Sequence, residues 1–130
     1  MDYNEAKIYF LSQPESWLDY PFGKGTLVFK IKSKMFGLLF TSKELPRINL
    51  KCDPEEAQIL REIFPSVVPG YHMNKTHWNT ILLDDSVPSG ELKRMIDNSY
   101  TLVVGALPKV ERTHIEAVHG KRIAEPMSFN

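Results

Sequence analysis

Hydrophobic and polar positions change period several times along the chain, and each change marks an element. Residues 4–12 carry Ala6, Tyr9 and Phe10 at helical spacing with Pro14 closing the segment, which predicts a short helix. Tyr20-Pro21-Phe22-Gly23-Lys24-Gly25 is punctuated by Pro and Gly and reads as a loop. Residues 27–32 then alternate strictly: Leu27, Phe29 and Ile31 fall on one face, Val28, Lys30 and Lys32 on the other. That is the signature of a half-buried strand. Ser33-Lys34 makes a two-residue turn into a second strand over 35–41, and residues 47–52 alternate again with Ile48, Leu50 and Cys52 inward. Three antiparallel strands in succession form a meander.

Asp53-Pro54-Glu55-Glu56 is a helix start, with a side-chain cap, Pro in the first turn and carboxylates at the positive end of the dipole. The expected buried stripe is Ile59, Leu60, Ile63 and Phe64. After Pro65 and Pro69-Gly70, residues 71–73 and 78–83 read as two short strands joined by Asn74-Lys75-Thr76-His77. Ser89 can cap a last helix with Leu92, Met95, Ile96, Ser99 and Val103 buried, broken by Pro108. Residues 110–130 show no apolar stripe of useful length, so only a short helical turn near Ile115 is expected there. The order helix, three strands, helix, two strands, helix predicts an α+β domain over residues 1–109 followed by a tail, 110–130. Its antiparallel sheet of about five strands would carry helices packed on one face.

Composition narrows the function classes. A chain of 130 residues fits one domain that buries roughly two thirds of its unfolded surface. Cys52 is the only cysteine, which excludes an internal disulfide and a zinc site built on cysteine pairs, and a reducing cytoplasm is the expected setting. The start, Met1-Asp2-Tyr3-Asn4-Glu5, is acidic and polar where an export signal would be basic and then apolar. Apolar runs at 35–40 and 102–107 fall well short of the ~20 residues of a membrane-spanning helix. No membrane partner is expected.

Charge is balanced, sixteen Lys and Arg against sixteen Asp and Glu, yet unevenly spread. Between Lys24 and Lys51 lie seven basic residues and one acid, Glu44. If the alternation holds, Lys30, Lys32, Arg47 and Lys51 project from the open face of the sheet and Lys34 sits at a hairpin tip. Lys on a solvent-facing sheet also blunts edge-to-edge aggregation, so this stripe has a structural reading as well.

Residues 69–80 gather two His, two Asn, a Lys, a Tyr and a Trp, a mixture that no core strand needs. His72, Asn74 and Lys75 at a hairpin tip suit contacts with phosphates and base edges. Trp78 and Tyr71 read more simply as core aromatics, and the two Asn as residues that satisfy a turn backbone. His72 and His77 lie five apart, as do His114 and His119, but no nearby carboxylate or thiol completes a metal set. No nucleophile elbow or phosphate loop is present, so neither an enzyme nor a cofactor is expected.

These segments together resemble the YjbR/MmcQ family of small bacterial proteins. The resemblance rests on Tyr20-Pro21-Phe22-Gly23, Val28-Phe29-Lys30, Lys34-Met35-Phe36-Gly37-Leu38 and Leu50-Lys51-Cys52-Asp53-Pro54. Its most specific stretch is Pro69-Gly70-Tyr71-His72-Met73-Asn74-Lys75-Thr76-His77-Trp78-Asn79-Thr80, and Asp97-Asn98-Ser99-Tyr100-Thr101-Leu102-Val103 with Leu107-Pro108-Lys109 completes it. The resemblance implies a fold similar to the frataxin-like CyaY proteins and a double-wing mode of DNA binding, in which two hairpins grip the duplex. The expected protein is a non-enzymatic, monomeric DNA binder, with Lys30, Lys32, Lys34, Arg47 and Lys51 on phosphates and His72, Asn74 and Lys75 at the second hairpin. The alternative is a protein- or small-ligand-binding module that uses residues 69–80 to line a recess beside the sheet.

Overall fold

The computed structural model describes residues 1–124. Helix α1, Tyr3–Leu11, starts on Asp2, whose carboxylate accepts from the Glu5 N–H at 2.8 Å. Strands β1 (Trp17–Asp19), β2 (Thr26–Ile31), β3 (Lys34–Ser42) and β4 (Leu45–Lys51) follow, then helix α2 (Pro54–Ile63), strands β5 (Val67–Pro69) and β6 (Trp78–Leu82), and helices α3 (Ser89–Gly105) and α4 (Lys109–His119). The six strands form one antiparallel sheet in the order β1-β2-β3-β4-β6-β5.

The α+β architecture holds, with local corrections. The sixth strand is β1, three residues long and too short to carry a period. Lys32-Ser33, one residue earlier than expected, makes the first hairpin turn, and Lys32 takes a left-handed φ of 54° there. On α2 only Ala57 and Leu60 are buried, with Phe64 packed behind them, while Ile59 and Ile63 face solvent. The helix meets the sheet at its β5 edge, where only a narrow stripe finds a partner. Residues 71–73 are not a strand: β5 comes earlier, and residues 70–77 form the loop between β5 and β6. Beyond Pro108 the chain forms an eleven-residue helix rather than a single turn, and Ile115 is buried in the core. Residues 125–130 of the expected tail lie outside the described residues.

The helices cover one face of the sheet. There Phe10 of α1 stacks on Phe29 of β2, with ring centroids 4.4 Å apart and planes 7° apart. Gly37 makes that seat possible, because a Cβ at this position would stand 2.1 Å from the Phe10 ring. A bulge between Phe29 and Lys30 leaves Phe36 of β3 without a cross-strand partner. Its carbonyl is satisfied from α3, where Ser99 Oγ donates to Phe36 O at 2.6 Å and accepts from Lys51 N–H at 2.9 Å. A single hydroxyl thereby joins α3 to β3 and β4.

Candidate functional site

The register places the alternate residues of the same strands on the helix-free face: Thr26, Val28 and Lys30 of β2, Leu38 and Phe40 of β3, Arg47, Asn49 and Lys51 of β4, Trp78 and Thr80 of β6. Its centre is apolar. Val28, Leu38 and Trp78 are buried as a small second cluster, with Met35 and Met73 against it.

Met73 arrives on the β5–β6 loop, which folds back over the sheet instead of projecting as a wing. Three contacts hold it down. Asn49 Nδ2 donates to Tyr71 O at 3.2 Å, the Tyr71 N–H donates to Thr80 Oγ1 at 2.8 Å, and Thr80 Oγ1 donates to Asn49 Oδ1 at 2.6 Å. Asn49 and Thr80 are buried, so this network is shielded from competing water. Gly70 lets the chain turn tightly, since a Cβ there would lie 2.8 Å from Trp78 Cβ. From the other side Arg61 of α2 clamps the loop base, donating to Asn79 Oδ1 at 2.7 Å, to Trp78 O at 3.3 Å and to Lys75 O.

A recess of about 330 Å³ remains between this loop and the loop at residues 20–25, lined by Phe22, Thr26, Leu38, Phe40, Asn49, Tyr71, His72 and Met73. Phe40 and Tyr71 lie nearly parallel with centroids 6.3 Å apart, and Tyr71 in turn contacts the His72 ring at 4.0 Å. Phe22 and Tyr71 are 64% and 55% exposed, an unusual disposition for large rings on a folded surface. Among the described residues no acidic side chain lines the recess.

The eight residues expected to make contacts are dispersed around it. Lys30 shares the helix-free face but is bound to Asp19 at 2.8 Å and lies over the Trp17 ring. The same ion pair, with a backbone bond from Tyr20, holds the Asp19 carboxyl below the usual carboxylate range. Lys32 sits in the first hairpin turn, 3.6 Å from Glu15. Lys34 is exposed at the start of β3. Arg47 lies opposite Phe40; one guanidinium nitrogen donates to Ser42 O at 3.4 Å, and its buried Nε has no hydrogen-bond partner among the described residues. Lys51 projects half-buried from the end of β4. His72 is exposed at the recess with φ of 57°, and Lys75 is exposed on the loop. Asn74 serves the turn: its Oδ1 accepts from Thr76 N–H at 2.9 Å and His77 N–H at 3.4 Å.

Sequence reasoning missed Phe22, Phe40, Asn49 and Arg61 as parts of this site. Asn49 carried a signal, an amide in mid-strand on the outward side. The others had none until the loops were in place. Among the described residues no three side chains come together as a metal site, and no helix is long and apolar enough to cross a membrane.

A six-stranded antiparallel sheet with helices on one side and a loop-covered recess on the other defines a small α+β domain, and comparison with known proteins gives its family. The YjbR family model matches residues 11–102, and the chain belongs to that family. It is 38% identical over 110 residues to the uncharacterized protein YbdF of Escherichia coli O157:H7, covering 85% of this chain and 90% of that one. To the uncharacterized protein YjbR of Escherichia coli strain K12 it is 35% identical over 83 residues, 64% of this chain and 70% of the relative. The crystal structure of the Deinococcus radiodurans protein DR2400 matches with a TM-score of 0.83 at 33% identity, covering 98% of this chain and 96% of that one.

Proposed function

We propose that this chain is a non-enzymatic DNA-binding protein that uses the helix-free face of its sheet. The observation that carries the reading is the pairing of exposed rings with basic side chains: Phe22 and Tyr71 stand over half exposed at a recess to which the described residues contribute no acid, and Arg47 and Lys51 share its sheet face. Positive charge that follows a phosphate backbone and rings that stack on bases are the two components such a surface needs. Among the described residues no ion pair engages Lys34, Arg47, Lys51 or Lys75, whereas Lys30 and Lys32 already face Asp19 and Glu15.

A salt series tests this. With roughly four phosphates neutralised, log affinity falls against log salt with a slope of about −3 to −4. The double variant Lys51→Gln with Lys75→Gln lowers that slope by about two. A flat response, or no binding at ~50 mM salt, overturns the reading.

The same recess favours a second reading, a protein- or small-ligand-binding module, because Leu38, Phe40 and Met73 give it a largely apolar lining. A salt-independent thermal shift with a metabolite or peptide, alongside no response to DNA, would select it.

A further inference from the structure

We infer that the recess is a base pocket that receives one unpaired nucleobase, so that the protein holds DNA where its strands are open. This rests on the DNA-binding reading above and names the form of DNA involved.

Three features point to an unpaired base. The first is shape. A cavity of about 330 Å³ falls within the ~300–1,000 Å³ range of small-ligand sites. Its walls are rings from three separate segments: Phe22 from the loop at 20–25, Phe40 from β3 and Tyr71 from the loop at 70–77. A base inside a duplex is stacked on both sides and offers no face to such walls, while an unpaired or extruded base offers two.

The second is the polar content. Asn49 lines the recess and uses one amide proton on Tyr71 O and one lone pair on Thr80, which leaves it a donor and an acceptor by valence. Base edges present the same mixture. The third is charge. Arg47 stands opposite Phe40 across the β3–β4 ladder and brings a cation to this side of the sheet, and among the described residues no carboxylate lines the pocket to repel a phosphate.

The position of the β5–β6 loop agrees. A wing that probes a duplex groove must project, but this loop is fastened flat across the sheet by Asn49 and Thr80 and cannot enter a groove without breaking buried bonds.

The experiment compares three probes by fluorescence anisotropy: an oligothymidylate of about 12 nucleotides, an oligomer of equal length whose sugars all lack bases, and a blunt duplex. The oligothymidylate is expected to bind about tenfold more tightly than the abasic oligomer and more tightly than the duplex. Tyr71→Ala and Phe22→Ala, made separately, should each bring it to the abasic level without changing the salt slope. Both rings are largely exposed and lie on different loops, so a disturbance of one loop leaves the other variant to decide. Equal affinity for the thymidylate and abasic oligomers, or a preference for duplex, overturns the base pocket while a steep salt slope keeps the DNA reading. No salt-sensitive binding to any probe overturns both.

Discussion

The two faces of the sheet are built from alternate residues of the same strands and end in opposite states. On the helix-covered side Phe10, Phe29 and Phe36 are wholly buried, and Ser99 bonds both the Phe36 carbonyl and the Lys51 N–H. On the other side Val28, Leu38 and Trp78 are buried under a single loop, and the apolar surface then runs out into water at Phe22 and Tyr71. The first face has converted its hydrophobic surface into stability. The second has left part of it open, held in place by a polar network rather than by packing, and exposed rings that a rigid scaffold positions are available for binding.

The largest effect expected from this contrast is on the covered face. Phe29→Ala should lower unfolding free energy by about 3–5 kcal/mol in urea titrations, because it removes the ring on which Phe10 stacks and leaves a cavity. A loss under about 1 kcal/mol would mean that the two faces do not differ in the way described.

Cys52 sharpens the contrast at the end of β4. Burial, with Glu56 and Asp53 adding repulsion, pushes its thiol up to about 12. The fold thus favours the neutral thiol. That contribution is complete below the ordinary thiol range near ~8.5 and is lost as pH rises from there toward the folded value. At about pH 8 the folded chain should hold on the order of a thousandfold less thiolate than the unfolded chain. Iodoacetamide should label it more slowly by a similar factor; labelling at the rate of a free thiol would show that this edge of the core is open.

Thr80→Val tests the polar network. It removes the acceptor for the Tyr71 N–H and the donor to Asn49 Oδ1, so a loss of about 1–3 kcal/mol is expected. Amide exchange should quicken at Tyr71 while the core amides of β2 and β3 stay protected; uniform quickening would deny the loop any separate mooring. Phe22→Ala should be the smallest change, within about 0.5 kcal/mol of the parent in the same urea titration. A larger loss would place Phe22 in the fold rather than in the site.

Much of this was legible in the chain. Strict alternation over residues 27–32 put Phe29 and Lys30 on opposite faces, and the capping sequence at Asp53-Pro54 opened α2 where it begins. The hidden parts have physical causes. Val28 and Leu38 alternate to the outward side and would be solvent-facing on period alone, but the 70–77 loop lies over them. Ile59 and Ile63 match a helical stripe yet face water, because α2 meets only the margin of the sheet. The acidic partners of Lys30 and Lys32 come from Asp19 and Glu15, distant in sequence, so a stripe of free cations turned out to be partly neutralised.

By itself the sequence determined the α+β class, the start of α2, the meander and the chemical character of residues 69–80, because all of these follow from local period and local backbone preference, whereas α3 begins at Ser89 behind Pro88 with no side-chain cap, one residue from the start expected. Tertiary structure alone decided where that segment goes. Its course depends on Asn49 and Arg61, 14 to 22 residues from the groups they hold in it. Bonds across such separations leave no periodic trace, and they are what turns an open sheet face and an exposed loop into a recess with walls.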